Sequence, residues 1–116
     1  MPDPFRELRD QLRAFAAERD WDQFHSPRNL ATALAVEAAE LLEPFQWLDE
    51  AQARDLPAAT RAAVEEEMAD VLLYLVRLAD RLDVDLERAA KAKIARNAEK
   101  YPVERARGSS RKYDEI

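Results

Sequence analysis

Residues 58–82, AATRAAVEEEMADVLLYLVRLADRL, contain neither Gly nor Pro and decide the fold. Val64, Val71, Leu75, Leu78 and Leu82 recur at helical spacing, so the stretch reads as one long amphipathic helix. A second apolar set, Leu73 and Val76, falls on the opposite side. Working outward, Asp83-Val84-Asp85 supplies caps for a following helix of about residues 86–100, which ends before Pro102. In the other direction, a loop from Trp47 to Pro57 leads back to a helix of about 27–43. That helix is opened by Ser26-Pro27 and stopped near Pro44. Asp3-Pro4 opens the first helix, about 4–19, with Phe5, Leu8, Leu12 and Phe15 on one face. Residues 103–116 read as an extended tail that could act as a lid. β-Branched residues are few and never alternate over a useful length. The expectation is therefore an all-α fold, a four-helix bundle in a single domain over 1–116.

Composition narrows the function. The 116 residues include one Gly, Gly108, which excludes a P-loop, a Rossmann fingerprint and Gly-turned β-sandwiches. With no Cys and one His, disulfide scaffolds, thiolate zinc sites and multi-histidine sites are excluded within one chain. A net charge of −6 argues against a nucleic acid polymer as partner. The longest apolar run is short and adjoins Arg77 and Asp80, so no membrane partner is expected. The polar start MPDPFRELRD is unlike a signal peptide, and the expected location is cytoplasmic.

Carboxylates occupy positions where leucines belong. In the second helix Leu30, Leu34 and Leu41 form a stripe with Glu37 inside it and Glu40 to one side, near Ala33. In the long helix Glu67 lies at the edge of the stripe, and Asp70 and Tyr74 extend that flank. Glu37/Glu40 and Glu67/Asp70 are thus two i, i+3 pairs on or beside inward faces. Ionised carboxylates buried without partners are costly, and four on facing helices repel one another. A hard divalent cation resolves both problems, so Mg²⁺, with Mn²⁺ as a substitute, is the expected cofactor. The competing reading, outward-pointing surface acids, suits Glu65 and Glu66. Glu-x-x-His pairs would point to a di-iron bundle, but His25 precedes the second helix and has the wrong spacing.

Other residues admit two readings each. Trp21 and Trp47 lie at helix ends, where an indole either stacks on a base or plugs the bundle. His25, four residues after Trp21, lines such a pocket or simply precedes a helix. In the helix of 86–100, Leu86, Ala90, Ile94 and Tyr101 share a face with Lys93 and Asn97. Those two meet phosphate and base, or else are a snorkelling Lys and an Asn at a fraying end.

These residues resemble the all-α, MazG-like nucleoside triphosphate pyrophosphohydrolases, most closely their dCTP pyrophosphatase branch. The matching stretches are RDWDQFHSPRNLA at 19–31, EAAELLEPFQW at 37–47, EEEMADVLLYLVRLAD at 65–80 and SSRKYDEI at 109–116. The chain departs from close relatives at Ala38-Ala39, where they carry a Gly, and at Pro44, which interrupts the helix. The resemblance implies cleavage of a nucleoside triphosphate between the α- and β-phosphates. Glu37, Glu40, Glu67 and Asp70 are then the metal-binding and catalytic residues, with Glu40 acting on the attacking water. It implies base and sugar contacts from Trp21, His25, Trp47, Tyr74, Asn97 and Tyr101. Phosphate contacts are implied for Arg28, Lys93, Ser110, Arg111 and Lys112, the last three from a closing tail.

The preferred substrate is expected to be dCTP, for control or cleansing of the nucleotide pool. dUTP or a modified pyrimidine nucleotide is the alternative within the same reaction. A catalytically silent helical oligomer is the alternative of another class. Leu73, Val76, Val36 and Leu42 lie off the main stripes, which predicts a homo-oligomer, a dimer of dimers. In such an assembly Trp21 and His25 are expected to serve a neighbour's site.

Overall fold

The computed structural model describes residues 3–116. Four long helices and two short ones follow in order: α1 (Pro4–Glu18), α2 (Pro27–Leu42), α3 (Glu50–Arg54), α4 (Ala58–Arg81), α5 (Leu86–Lys100) and α6 (Val103–Ala106). Single 3₁₀ turns occupy Asp22–Phe24 and Glu43–Phe45, and no strand occurs among the described residues. The fold is all-α, and the four long helices lie within one or two residues of their predicted ranges.

Local chemistry explains those bounds. Asp3 accepts a hydrogen bond from the Phe5 N–H at 2.9 Å and Ser26 from the Asn29 N–H at 3.1 Å, each with Pro at the next position. Asp85 caps α5 by accepting from Arg88, and Asp49 with Gln52 forms a reciprocal capping box on α3. Pro44 ends α2 and seeds the 3₁₀ turn. The ends of α1 and α4 need a left-handed residue, and with Gly108 elsewhere an Asp takes each place. Asp20 and Asp83 both have φ 55°. The next amides close the helix ends, Trp21 N–H onto Ala16 and Val84 N–H onto Ala79.

The chain divides into two compact units, one ending at Val84 and the other spanning Asp85–Ile116. In the first unit α4 packs on both α2 and α1. α2 and α4 run antiparallel, since Arg77 near the end of α4 bonds His25 just before α2, while Glu67 further back meets Glu37. Among the described residues the buried apolar side chains are Ala16, Leu30, Val64, Val76 and Ala79.

The face that α4 turns inward differs from the expectation. Val76 is 2% exposed and Leu73 half-buried, whereas Leu75 and Leu82 of the expected inward stripe are exposed, as are Met68 and Leu72. The inward arc is centred on the flank carrying Asp70, Tyr74 and Arg77. A helix touching two neighbours buries a wide arc, and apolar periodicity on an all-round apolar helix does not say which arc that is. Val36 and Leu42 of α2 are exposed as expected.

In the second unit the tail is folded rather than extended. It contains α6, and Tyr113 returns to meet Tyr101 edge-on with ring centres 6.3 Å apart. Lys100 Nζ lies 5.0 Å from the Tyr113 ring, a cation–π contact that fixes the return.

Candidate active site

The inward flank of α4 presents Glu67 and Asp70 to α2, which presents Glu37. Carboxylate oxygens of these three lie within 4.8 Å of one another. Glu40 stands outside that trio and adjoins it through Glu37. Glu37 Oε2 and Glu67 Oε2 are buried, and among the described residues neither finds a hydrogen-bond partner. The Glu37 carboxyl is pushed up to about 7, first by burial, then by hydrogen bonds with Glu40 and Glu67 and the charges of Glu40 and Asp70. With its pKa raised to about 7, Glu37 holds a proton more readily than an ordinary carboxylate, which relieves part of the repulsion within the cluster. The donor set is all carboxylate oxygen with orphaned lone pairs, which fits a hard divalent cation.

Asp70 also borders a pocket of about 410 Å³. Its wall includes Phe15 and Leu12 of α1, Trp21 and His25 of the α1–α2 connection, and Leu73, Tyr74 and Arg77 of α4. Phe15 meets Trp21 edge-on at 5.6 Å, and Trp21 meets His25 at 6.2 Å. The structure therefore brings together seven of the sequence-predicted residues: Glu37, Glu40, Glu67, Asp70, Tyr74, Trp21 and His25. Trp21 and His25 line one pocket with Asp70 and Tyr74 of their own chain.

Of the other predicted residues, two in the first unit stand apart. Trp47 is 86% exposed and lies beyond the far end of α2 from Trp21. A helix of 16 residues separates the two, a length of about 24 Å. Arg28 is exposed on the first turn of α2 and does not line the pocket. Lys93, Asn97, Tyr101, Ser110, Arg111 and Lys112 belong to the second unit. Lys93 and Asn97 are exposed on α5, which buries no residue; Tyr101 is held by Tyr113; and Ser110, Arg111 and Lys112 are exposed.

Sequence reasoning missed Arg77, a buried arginine at the pocket wall, and the ion pairs around it. A signal was present: Glu67, Asp70, Tyr74, Arg77 and Arg81 continue one helical stripe at spacings of three and four. Extending the carboxylate flank one more turn reaches Arg77.

The MazG-like family model matches residues 32–116. The chain is 49% identical to dCTP pyrophosphatase 1 of Rattus norvegicus over 118 aligned positions, covering 99% of this chain and 69% of that protein. The human dCTP pyrophosphatase 1 matches at the same identity and coverage. A crystal structure of a pyrophosphatase from Archaeoglobus fulgidus superposes with a TM-score of 0.82 at 40% identity, covering 88% of this chain and 95% of that one.

Proposed function

The chain belongs to the MazG-like family and is a nucleoside triphosphate pyrophosphohydrolase, and we propose that its preferred substrate is dCTP, cleaved to dCMP and pyrophosphate with Mg²⁺ on the carboxylate cluster. One observation carries the reading: Asp70 belongs both to the carboxylate trio and to the aromatic pocket. A nucleotide with its base in the pocket then directs its phosphates toward the carboxylates.

Glu37, Glu67 and Asp70 would hold the cation. A divalent ion there supplies neutralisation of phosphate charge and a more acidic water, and Mn²⁺ suits the same oxygens. Glu40, adjacent to the trio but outside it, is free to orient the attacking water and accept its proton. Trp21 offers an aromatic face to the base, and Tyr74 packs where a 2′-hydroxyl would otherwise sit, which favours deoxynucleotides. Lys93, Arg111 and Lys112 are the kind of cation that meets phosphate, while Asn97, Tyr101 and Ser110 suit base and sugar; we assign them to substrate binding, with Arg28 in a lesser phosphate role.

A homo-oligomer, a dimer of dimers, completes the reading. Val36, Leu42, Met68, Leu72 and Leu75 are apolar side chains of α2 and α4 that the chain's own core leaves exposed. If Trp21 and Trp47 flank one base, their separation requires Trp47 to come from a partner chain. We assign the enzyme to the cytoplasm, where it removes unwanted pyrimidine nucleotides.

A panel of nucleoside triphosphates incubated with Mg²⁺ tests the activity. Pyrophosphate and dCMP without diphosphate are expected, and ¹⁸O from water should enter one product at the attacked phosphorus. Nucleoside diphosphate as first product rejects the bond choice. Light scattering at micromolar concentration should report four chains. Mixing inactive Glu67→Gln and Trp47→Ala variants should restore part of the activity.

A further inference from the structure

Arg77 lies one turn beyond Tyr74 and two beyond Asp70 on α4, with 5% of its surface exposed. Its Nε–H donates to His25 Nδ1 at 3.1 Å. Its Nη2 donates to Asp22 Oδ1 and its Nη1 to Asp80 Oδ2 at 3.4 Å. Arg13 grips the same Asp80 through two bonds of 2.8 and 2.5 Å. Arg81 Nε donates to the His25 carbonyl at 2.9 Å. The guanidinium is thus fixed by a carboxylate at each end, and the segment bearing His25 is fastened by backbone and side chain together.

A guanidinium has donors only and keeps its proton at any working pH. An N–H aimed at Nδ1 therefore demands the lone pair there, which leaves the imidazole proton on Nε2. Among the described residues Nε2 has no partner, and His25 lines the pocket with Trp21, Tyr74 and Asp70. We propose that Arg77 is a positioning residue that holds His25 as its neutral Nε2–H tautomer, so that the imidazole offers the pocket's occupant a hydrogen-bond donor without charge. The groups facing His25 agree. Burial and Arg77 lower its pKa, Arg81 adds to this, and Asp22, already bonded to Arg77, opposes it. A donor of this kind suits the carbonyl oxygen or ring nitrogen of a pyrimidine, a use that rests on the nucleotide reading above. A site that hydrogen-bonds one edge of a ligand rejects analogues lacking the matching acceptor.

His25 is the sole histidine, so long-range ¹⁵N–¹H correlation spectra of the full chain read it without ambiguity. The expected pattern at pH 7 is the neutral Nε2–H form, still predominant at pH 6.5. An Nδ1–H pattern or an imidazolium at pH 7 overturns the proposal, whatever the enzyme hydrolyses. Conversely, failure to cleave dCTP rejects the nucleotide reading and leaves the tautomer result standing. Arg77→Lys keeps the charge and loses the fork. In it the His25 tautomers should mix and KM for dCTP rise about tenfold, the loss of one good hydrogen bond, with kcat within about twofold. An unchanged tautomer and KM in that variant overturn the role of Arg77. Should Arg77→Lys not fold, the wild-type spectrum decides alone.

Discussion

Midway along α4, at Glu67–Asp70, carboxylates from two helices converge, and among the described residues no arginine pairs with them. Two turns on, at the Arg77–Asp80 end, a buried guanidinium is matched by Asp22, Asp80 and His25, and Arg13 balances Asp80 in turn. Both regions bury charge on the same helix, yet one closes its own network and the other leaves lone pairs orphaned. Closed networks hold a fold in one arrangement, while a cluster of like charge without an internal partner requires an external one. On the proposed function, the contrast separates the part of α4 assigned to chemistry from the part that shapes a pocket wall.

The largest expected effect strikes the open cluster. Glu67→Gln or Asp70→Asn should lower kcat/KM by about a thousandfold or more, the loss of several kcal/mol of charge stabilisation at the phosphates. Thermal unfolding of either variant without metal should be unchanged or slightly higher, since one repelling charge is gone. Unfolding by a wide margin would break the contrast, because the carboxylates would then be structural.

The closed end should respond the other way. Arg77→Met strands Asp22 and half of Asp80's partners, and should cost about 3 kcal/mol of stability, read in urea denaturation. Full stability in that variant would mean that the network contributes nothing to the fold.

Acidity sharpens the comparison further. Glu37 has its pKa raised to about 7 from an ordinary 4.5, so the native state holds a proton that the unfolded chain has released. Stability of the metal-free protein should therefore fall as pH rises from about 4.5 to 7. Added Mg²⁺ competes with that proton, so its stabilising effect should grow across the same interval. Asp80 is shifted in the opposite direction by its hydrogen bonds to Arg13. Its contribution is present above its ordinary value of 3.8 and disappears as pH falls below it. Melting temperatures from pH 3 to 8, with and without Mg²⁺, should resolve the two limbs.

The smallest effect belongs to a change outside both regions. Asp83 closes α4 with φ 55°, a conformation that costs an L-residue free energy and Gly none. Asp83→Gly should raise stability by up to about 1 kcal/mol and leave activity unaltered. A loss of activity there would show that the carboxylate cluster is coupled to the terminus of α4.

Much of this molecule was legible in its residues. Helix limits are set within a few residues by Asp-Pro, Ser-Pro and paired aspartates, because caps and proline act locally. The two carboxylate pairs were legible because charge at positions facing other helices breaks the apolar pattern, and α2 kept its predicted face. The separation of Trp21 from Trp47 was legible too, since the predicted helix lies between them. Two things required the tertiary structure. Which arc of α4 turns inward depends on its packing against both α1 and α2, and a helix apolar on most sides does not encode that choice. The burial of Arg77 depends on Asp22, His25 and Asp80 arriving from segments up to 55 positions away. Sequence determines what is periodic or adjacent along the chain, and only packing determines which distant charges meet.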